Sequence, residues 1–259
     1  MRPWSIVVAV AASCLNAAIA SDTARAAEIS LMTTGAVEHI LRDLTAPFER
    51  ATGHKVTMTV LGTGPAVAKI KEGTFADMIL LGPPALNELA AAGKVDAGTI
   101  APAFHSRIGL AVRTGAKKPD IGTPAALKQA LLDAKSIGYS IGPSGEHFSK
   151  VVVAKLGIAD QLKSKMSNVP GIVVGARVAK GDVEIGIHQP AELMPIQGID
   201  IVGDLPAELN ITIVYATALT PMAKEADAAR QFITFITEPS AAAAVQKNGM
   251  VPASRRRER

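Results

Sequence analysis

Glu28-Ile29-Ser30-Leu31-Met32-Thr33-Thr34-Gly35-Ala36-Val37-Glu38-His39-Ile40-Leu41 changes its period in the middle. Residues 28–32 read as a strand. From Val37 the apolar residues recur at helical spacing, as Val37, Ile40, Leu41, Leu44 and Phe48. Gly53 then ends the helix. A strand that runs through a short polar turn into a helix is half of a βαβ unit.

The same alternation continues along the chain. Strands are expected over 55–60, 78–81, 108–112, 136–140, 183–187, 199–202 and 211–218. Helices are expected over 65–72, 84–92, 124–134, 147–156, 171–180, 223–236 and 240–248. Strands alternating with helices imply an α/β fold with parallel sheet. No repeat, heptad or low-complexity linker interrupts the pattern. Two β-rich stretches, 108–112 and 211–218, bracket a middle block of about 100 residues. If both cross between lobes, residues 27–107 plus 216–254 form lobe 1 and residues 108–215 form lobe 2.

The first 26 residues read as a secretory leader. Arg2 supplies a positive start, 6–12 an apolar run, and Ala24-Arg25-Ala26 a small-x-small cleavage signal. The apolar run is far below the ~20 residues that a membrane-spanning helix needs. The mature chain is expected to begin at Ala27 or Glu28 and to work in the periplasm. The single cysteine, Cys14, lies in the leader, so the mature chain has no thiol for a disulfide or a metal.

Composition narrows the partners. The chain is 48% hydrophobic, yet only 3% aromatic, which argues against an aromatic nucleic-acid or sugar platform. Of the net charge of +4, the leader carries one unit and the tail over 255–259 carries three. The body is near neutral, and no basic patch points to nucleic acid. A soluble monomer fits this balance.

Three turns share one design, a short polar segment opening onto a helix. They are Thr33-Thr34-Gly35-Ala36, Gly62-Thr63-Gly64-Pro65 and Gly142-Pro143-Ser144-Gly145. Helix N-termini present unpaired N–H groups and partial positive charge. Small residues let an anion approach that backbone, and hydroxyls add donors. Taken singly, each turn is more simply a helix cap. Converging, they would make an anion site without lysine or arginine.

These turns, in order with Phe75-Ala76-Asp77-Met78-Ile79-Leu80, resemble the molybdate-binding periplasmic protein family. So do Glu184-Ile185-Gly186-Ile187-His188-Gln189 and 202–209. The likeness spans nearly the whole mature chain. It implies a two-lobed type II periplasmic-binding fold with a two-strand hinge and a ligand in the interlobe cleft. It also implies a membrane ABC permease as partner and no cofactor. Carried over by position, the family's first oxyanion-binding serine falls near Ala36 and its second on Thr63 or Gly64. Its backbone donors fall on Ser144 and near Gly171, and its tyrosine on Gln189. Two serines and a tyrosine are therefore replaced, which favours a small carboxylate at least as well as a tetrahedral oxyanion. The expected ligand-binding residues are Thr33, Thr34, Gly35, Thr63, Gly64, Ser144, Gly145, Gly171 and Gln189.

The same resemblance brings a rival reading, because relatives of the family include periplasmic aconitate isomerase. Such a reaction shifts a proton and needs an acid, a base and anion clamps. Glu38, Glu146, His147 and His188 are the titratable candidates for that work. Lys69, Arg107 or Arg177 would be the cations available to clamp a tricarboxylate. His39, His54, His105, His147 and His188 show no metal-ligand spacing, so no metal is expected. His54 reads as a solvated loop residue, and Asp77 as structural.

Overall fold

The computed structural model describes residues 25–253, so residues 1–24 of the expected leader and the basic tail lie outside it. Eleven strands are described: β1 (Glu28–Thr34), β2 (Lys55–Leu61), β3 (Met78–Leu81), β4 (Ala101–Ser106), β5 (Gly109–Arg113), β6 (Ile137–Ser140), β7 (Met166–Val169), β8 (Ile185–His188), β9 (Ile199–Asp204), β10 (Ile213–Leu219) and β11 (Val251–Pro252). They form two sheets, ordered β11-β4-β10-β3-β1-β2 and β7-β6-β8-β5-β9.

β1 is parallel to both β2 and β3, with Thr34 opposite Leu61. β6 is likewise parallel to β7 and β8. Parallel strands need helical crossovers, which cover both faces of the sheet. Accordingly Met78–Leu81 is buried throughout. The first helix, Glu38–Thr52, buries Ile40, Leu41, Leu44 and Phe48. Gly53 closes it at φ 76°, a conformation that glycine alone reaches without strain.

Two short segments carry the chain between the sheets. The outward one is Arg107-Ile108, between β4 and β5, and the return runs over 205–212. Asn210 ties them together. Its Oδ1 accepts the N–H groups of Ile108 and Ile211, and its Nδ2 donates to the carbonyls of Ile108 and Leu205. A second clamp is Asp77, fully buried beside β3. It accepts the N–H of Ser30 on Oδ2 and those of Lys224 and Glu225 on Oδ1. Asp77 therefore fastens the C-terminal segment to the first sheet, which fits its structural reading.

Several elements escaped the sequence pattern. β4 contains Pro102, which speaks against a strand. Pro102 pairs with Ala216 at a register irregularity, beyond the two residues that β11 covers, so its missing donor costs little. β7 reads Met-Ser-Asn-Val and sits at a sheet edge, where no alternation is enforced. The helix expected over 147–156 begins at Pro143 and passes through a π-helical turn over Phe148–Val152 before ending at Gly157. His54 is buried, not solvated: its Nδ1 accepts the N–H of Ala27, and its ring stacks near Phe48.

Replacing Asn210 by Ala leaves the Ile108 N–H without its partner. Thermal denaturation of Asn210→Ala is expected to show a loss of about 2 kcal/mol. That corresponds to a melting temperature lower by about 4–8 °C for a chain of this size.

Candidate functional site

Parallel pairing puts every candidate turn at a strand's carboxyl end. In the first sheet, β1 leads into 34–36 and β2 into 62–64, side by side because Thr34 faces Leu61. In the second sheet, β6 leads into 141–145, β7 into Gly171 at the start of helix Gly171–Lys180, and β8 into Gln189. Ligands of open α/β sheets sit outside such carboxyl ends. The two edges meet where helix Pro190–Leu193 packs against the turn Gly35–Val37. Gly249 also abuts this helix, and a Cβ there would lie 3.0 Å from the Ala191 nitrogen.

The turn after β6 is held very close to its strand. Gly142 takes φ 121°, and a Cβ on Gly145 would fall 1.7 Å from the Ser140 carbonyl oxygen. Gly145 is required by that approach. Its effect is to bring Ser144 Oγ to 2.7 Å from Ser140 Oγ and to 3.1 Å from His188 Nδ1. All three side chains are buried.

His188 is the last residue of β8 and not part of the following loop, a correction of one residue to the expected strand end. Its Nε2 lies 3.1 Å from Glu192 Oε2, within ion-pair reach but off the hydrogen-bond line. Gln189 Nε2 donates to Glu192 Oε1 at 3.2 Å, and Tyr215 OH donates to Gln189 Oε1 at 3.0 Å. The polar chain thus runs from Ser140 on β6 to Tyr215 on β10 and joins the two sheets. Burial pushes the Tyr215 phenol well above its ordinary range; the Glu192 charge adds to this, and the Gln189 hydrogen bond opposes it. Burial also raises the half-buried Asp204 carboxyl at the end of β9, against the pull of Arg107.

The expected site residues divide by environment. Ser144, Gly145 and Gln189 stand in or beside this network. Thr34 is half-buried and Gly35 exposed, while Thr63 and Gly64 are exposed and line a groove with Lys71 and Glu88. Thr33 does not stand free as a ligand donor, because its buried hydroxyl donates to the Leu80 carbonyl and fastens β1 to β3. Gln189 is buried with both ends of its amide engaged, so it orders its neighbours. Among the titratable candidates, Glu38 pairs with Arg42 at 2.7 Å, and the exposed Glu146 lies 3.7 Å from Lys150. His147 Nε2 is held 2.8 Å from the Leu209 carbonyl. Only His188 of these four is built into the buried chain.

Sequence reasoning missed Ser140, Glu192 and Tyr215. Glu192 lies in the first turn of helix Pro190–Leu193, just after His188 ends β8, and no local spacing announces their contact. A concavity of about 700 Å³ lies elsewhere, at the amino ends of β6 and β8. Its charged lining, Lys117, Lys118, Asp120, Asp133 and Glu184, is exposed, and no buried polar network reaches it. No group of three or more histidine, cysteine or acidic side chains placed to hold a metal occurs among the described residues.

Two sheets with facing carboxyl edges and two short crossings define a two-lobed type II periplasmic-binding fold. The bacterial extracellular solute-binding protein family matches residues 29–251, and the chain belongs to that family. An aconitate isomerase of Pseudomonas sp. is 30% identical over 229 residues, covering 86% of this chain and 87% of that protein. The molybdate-binding protein ModA of Azotobacter vinelandii is 25% identical over 245 residues, covering 91% and 94%. In structure, the periplasmic molybdate-binding protein of Azotobacter vinelandii superposes with a TM-score of 0.71 at 20% identity, over 87% of this chain and all of that one. The substrate-binding domain of a molybdenum ABC transporter from Clostridium difficile gives 0.75 at 16% identity, over 88% of this chain and all of that one.

Tyr215 is expected to stay protonated while the protein is folded. Above about pH 10 an unfolded chain releases this proton and the native one keeps it, so stability falls as pH rises through that range. Phenolate absorbance of the wild type and of Tyr215→Phe should rise identically up to the unfolding transition. A difference appearing near pH 10 in folded protein would contradict the burial of this phenol.

Proposed function

We propose that this chain is the solute-binding component of an ABC importer and captures a small anion, preferably a carboxylate, between its lobes. The observation that carries this reading is the convergence of strand-end turns at two facing carboxyl edges, with the small residues Gly35, Gly64 and Gly145 and the hydroxyls of Thr34, Thr63 and Ser144. Neutral donors and backbone N–H groups suit an anion that must later be released to a permease. Ala36 stands where the molybdate-binding family carries a serine, and Gln189 where it carries a tyrosine. That loss of two hydroxyls favours planar carboxylates over a tetrahedral oxyanion. The leader and the family's extracellular character support a periplasmic location after cleavage near Ala26. The lobes would run over 27–107 plus 213–253 and over 108–212, which moves the expected second boundary back from 215 because β10 begins at Ile213 in the first sheet, with a membrane permease as partner and the protein itself a monomer.

One observation favours a second reading, a proton shift between trans- and cis-aconitate in the same cleft. A buried histidine in contact with a hydroxyl and a carboxylate is the arrangement that proton transfer uses. The aconitate isomerase of Pseudomonas sp. matches over most of both chains. In this reading His188 is the titratable group nearest to Ser144, and no cofactor takes part.

Thermal-shift measurements on protein stripped of ligand by refolding test both readings. The panel holds molybdate, tungstate, sulfate, phosphate, citrate, cis-aconitate and trans-aconitate. A ligand at 100 times its Kd adds about 2.7 kcal/mol. Carboxylates are expected to stabilise and molybdate not to. A shift with molybdate or tungstate alone would refute the carboxylate preference. Conversion of bound trans-aconitate, followed by NMR, separates catalysis from capture. Ser144→Val combined with Thr63→Val should abolish the shift and leave the circular dichroism of the fold unchanged.

A further inference from the structure

Helix Pro190–Leu193 belongs to the second lobe, because it follows β8 and packs on β5 and β9. It also rests on the first lobe, at two places. One is the turn Gly35–Val37, which opens from the carboxyl end of β1. The other is Gly249, between helix Ala242–Lys247 and β11. A Cβ on Gly249 would lie 2.8 Å from Met194 Sδ, 3.0 Å from the Ala191 nitrogen and 3.2 Å from the Pro190 carbonyl carbon. The Met194 side chain is exposed and flexible, so it can swing aside. The two backbone atoms cannot, so the helix itself would have to retreat.

The first lobe braces its side of this contact. The Gly249 N–H donates to the Gln246 carbonyl, and the Met250 N–H to that of Val245. Met250 is buried in the same apolar core as Ile40, Leu41 and Leu44 of the first helix. Asp43, on that helix, accepts from Asn248 Nδ2 and from Lys247 Nζ, both at 3.1 Å. On the second lobe, helix Pro190–Leu193 moves with the groups at its start. Gln189 is its N-cap residue, and His188, directly before it, contacts Ser144 in the turn after β6. Where the helix lands therefore sets how far that turn stands from the turn after β1. Resting on the anion-capture reading, we infer that Gly249 is a positioning residue, the seat on which the second lobe lands when the cleft closes. Its missing side chain sets the closed separation of the anion-binding turns. Apparent affinity scales with the fraction of molecules that reach the closed state, so bulk at residue 249 weakens capture without removing a donor.

Gly249 has φ +70°, so alanine there also meets backbone strain, and Gly93 separates the two effects. Gly93 has φ +66°, with nothing within 4 Å of its Cβ position. Gly93→Ala thus carries the strain without the contact. The only cysteine, Cys14, lies in the expected leader, so cysteines introduced at Thr59 and Asn168 of the mature protein take spin labels alone. Both residues are exposed, on β2 and β7, the strands farthest from the crossings in their sheets. Pulsed electron paramagnetic resonance, without ligand and with saturating trans-aconitate or molybdate, reads the distance between the lobes. Gly249→Ala is expected to lengthen that distance, and Gly93→Ala to leave it at the parental value. Ala191→Leu adds bulk from the helix side of the seat and should lengthen it likewise, which keeps the test open should Gly249→Ala not fold. In calorimetric titrations, the probe that binds should do so about tenfold more weakly to Gly249→Ala and with unchanged affinity to Gly93→Ala. Parental distances in Gly249→Ala and Ala191→Leu, with and without ligand, overturn the inference and leave anion capture standing. So does an equal loss of affinity in Gly249→Ala and Gly93→Ala. No binding of either probe to the unsubstituted protein overturns anion capture and the seat's part in it, a pattern distinct from the first two.

Discussion

Parallel strands must all end at the same edge, and the candidate site of this protein is built from that constraint. β1, β2 and β3 end together, as do β6, β7 and β8. Each strand end hands the chain to a turn and then a helix. The turns therefore gather at two edges whatever their order in sequence. The two crossings, at Arg107-Ile108 and over 205–212, set how these edges face each other. Asn210 holds both crossings through four hydrogen bonds to backbone. A side chain at the crossings thus governs how the two edges face each other.

Within that frame, a buried polar cluster spans the two sheets. Glu192 accepts from the Gln189 amide, while His188 Nε2 lies 3.1 Å from the same carboxylate and off the hydrogen-bond line. The first contact leaves the Gln189 oxygen to accept from the Tyr215 hydroxyl. The cluster joins β10 of the first sheet to β6 and β8 of the second. A hinge motion that separated Tyr215 from Gln189 would exchange one buried hydrogen bond for water, a cost of about 0.5–1.5 kcal/mol. That is small enough for a ligand to overcome and large enough to bias the resting state.

Close approach does the remaining work. Gly145 lets the turn after β6 lie against the Ser140 carbonyl, and Gly249 lets helix Pro190–Leu193 lie against the C-terminal segment. Neither glycine has a partner in sequence that announces its role. Gly145 is needed because Ser140 stands five residues before it, and Gly249 because the helix it meets belongs to the other sheet.

The local pattern of the chain determined most of the architecture. The change of period between Met32 and Val37, repeated along the molecule, specifies strand–turn–helix units, because a strand buried on both faces and an amphipathic helix have different spacings. The turns at 33–36, 62–65 and 142–145 were visible for the same reason, since glycine, serine and threonine at helix starts are read locally. Elements without such a signal were invisible: β4 carries Pro102, β7 is a short polar edge, and β11 spans two residues. The environment of each side chain was decided only by tertiary structure. Thr33 and Thr34 are neighbours in sequence, yet Thr33 is sealed against Leu80 and Thr34 is not, because successive residues of a strand face opposite sides. His188 and His147 both stood as titratable candidates. Contacts with Ser144, 44 residues away, and Glu192 distinguish the first, and the Leu209 carbonyl, 62 residues away, holds the second. Such pairings depend on which strands lie side by side, and no local spacing encodes that.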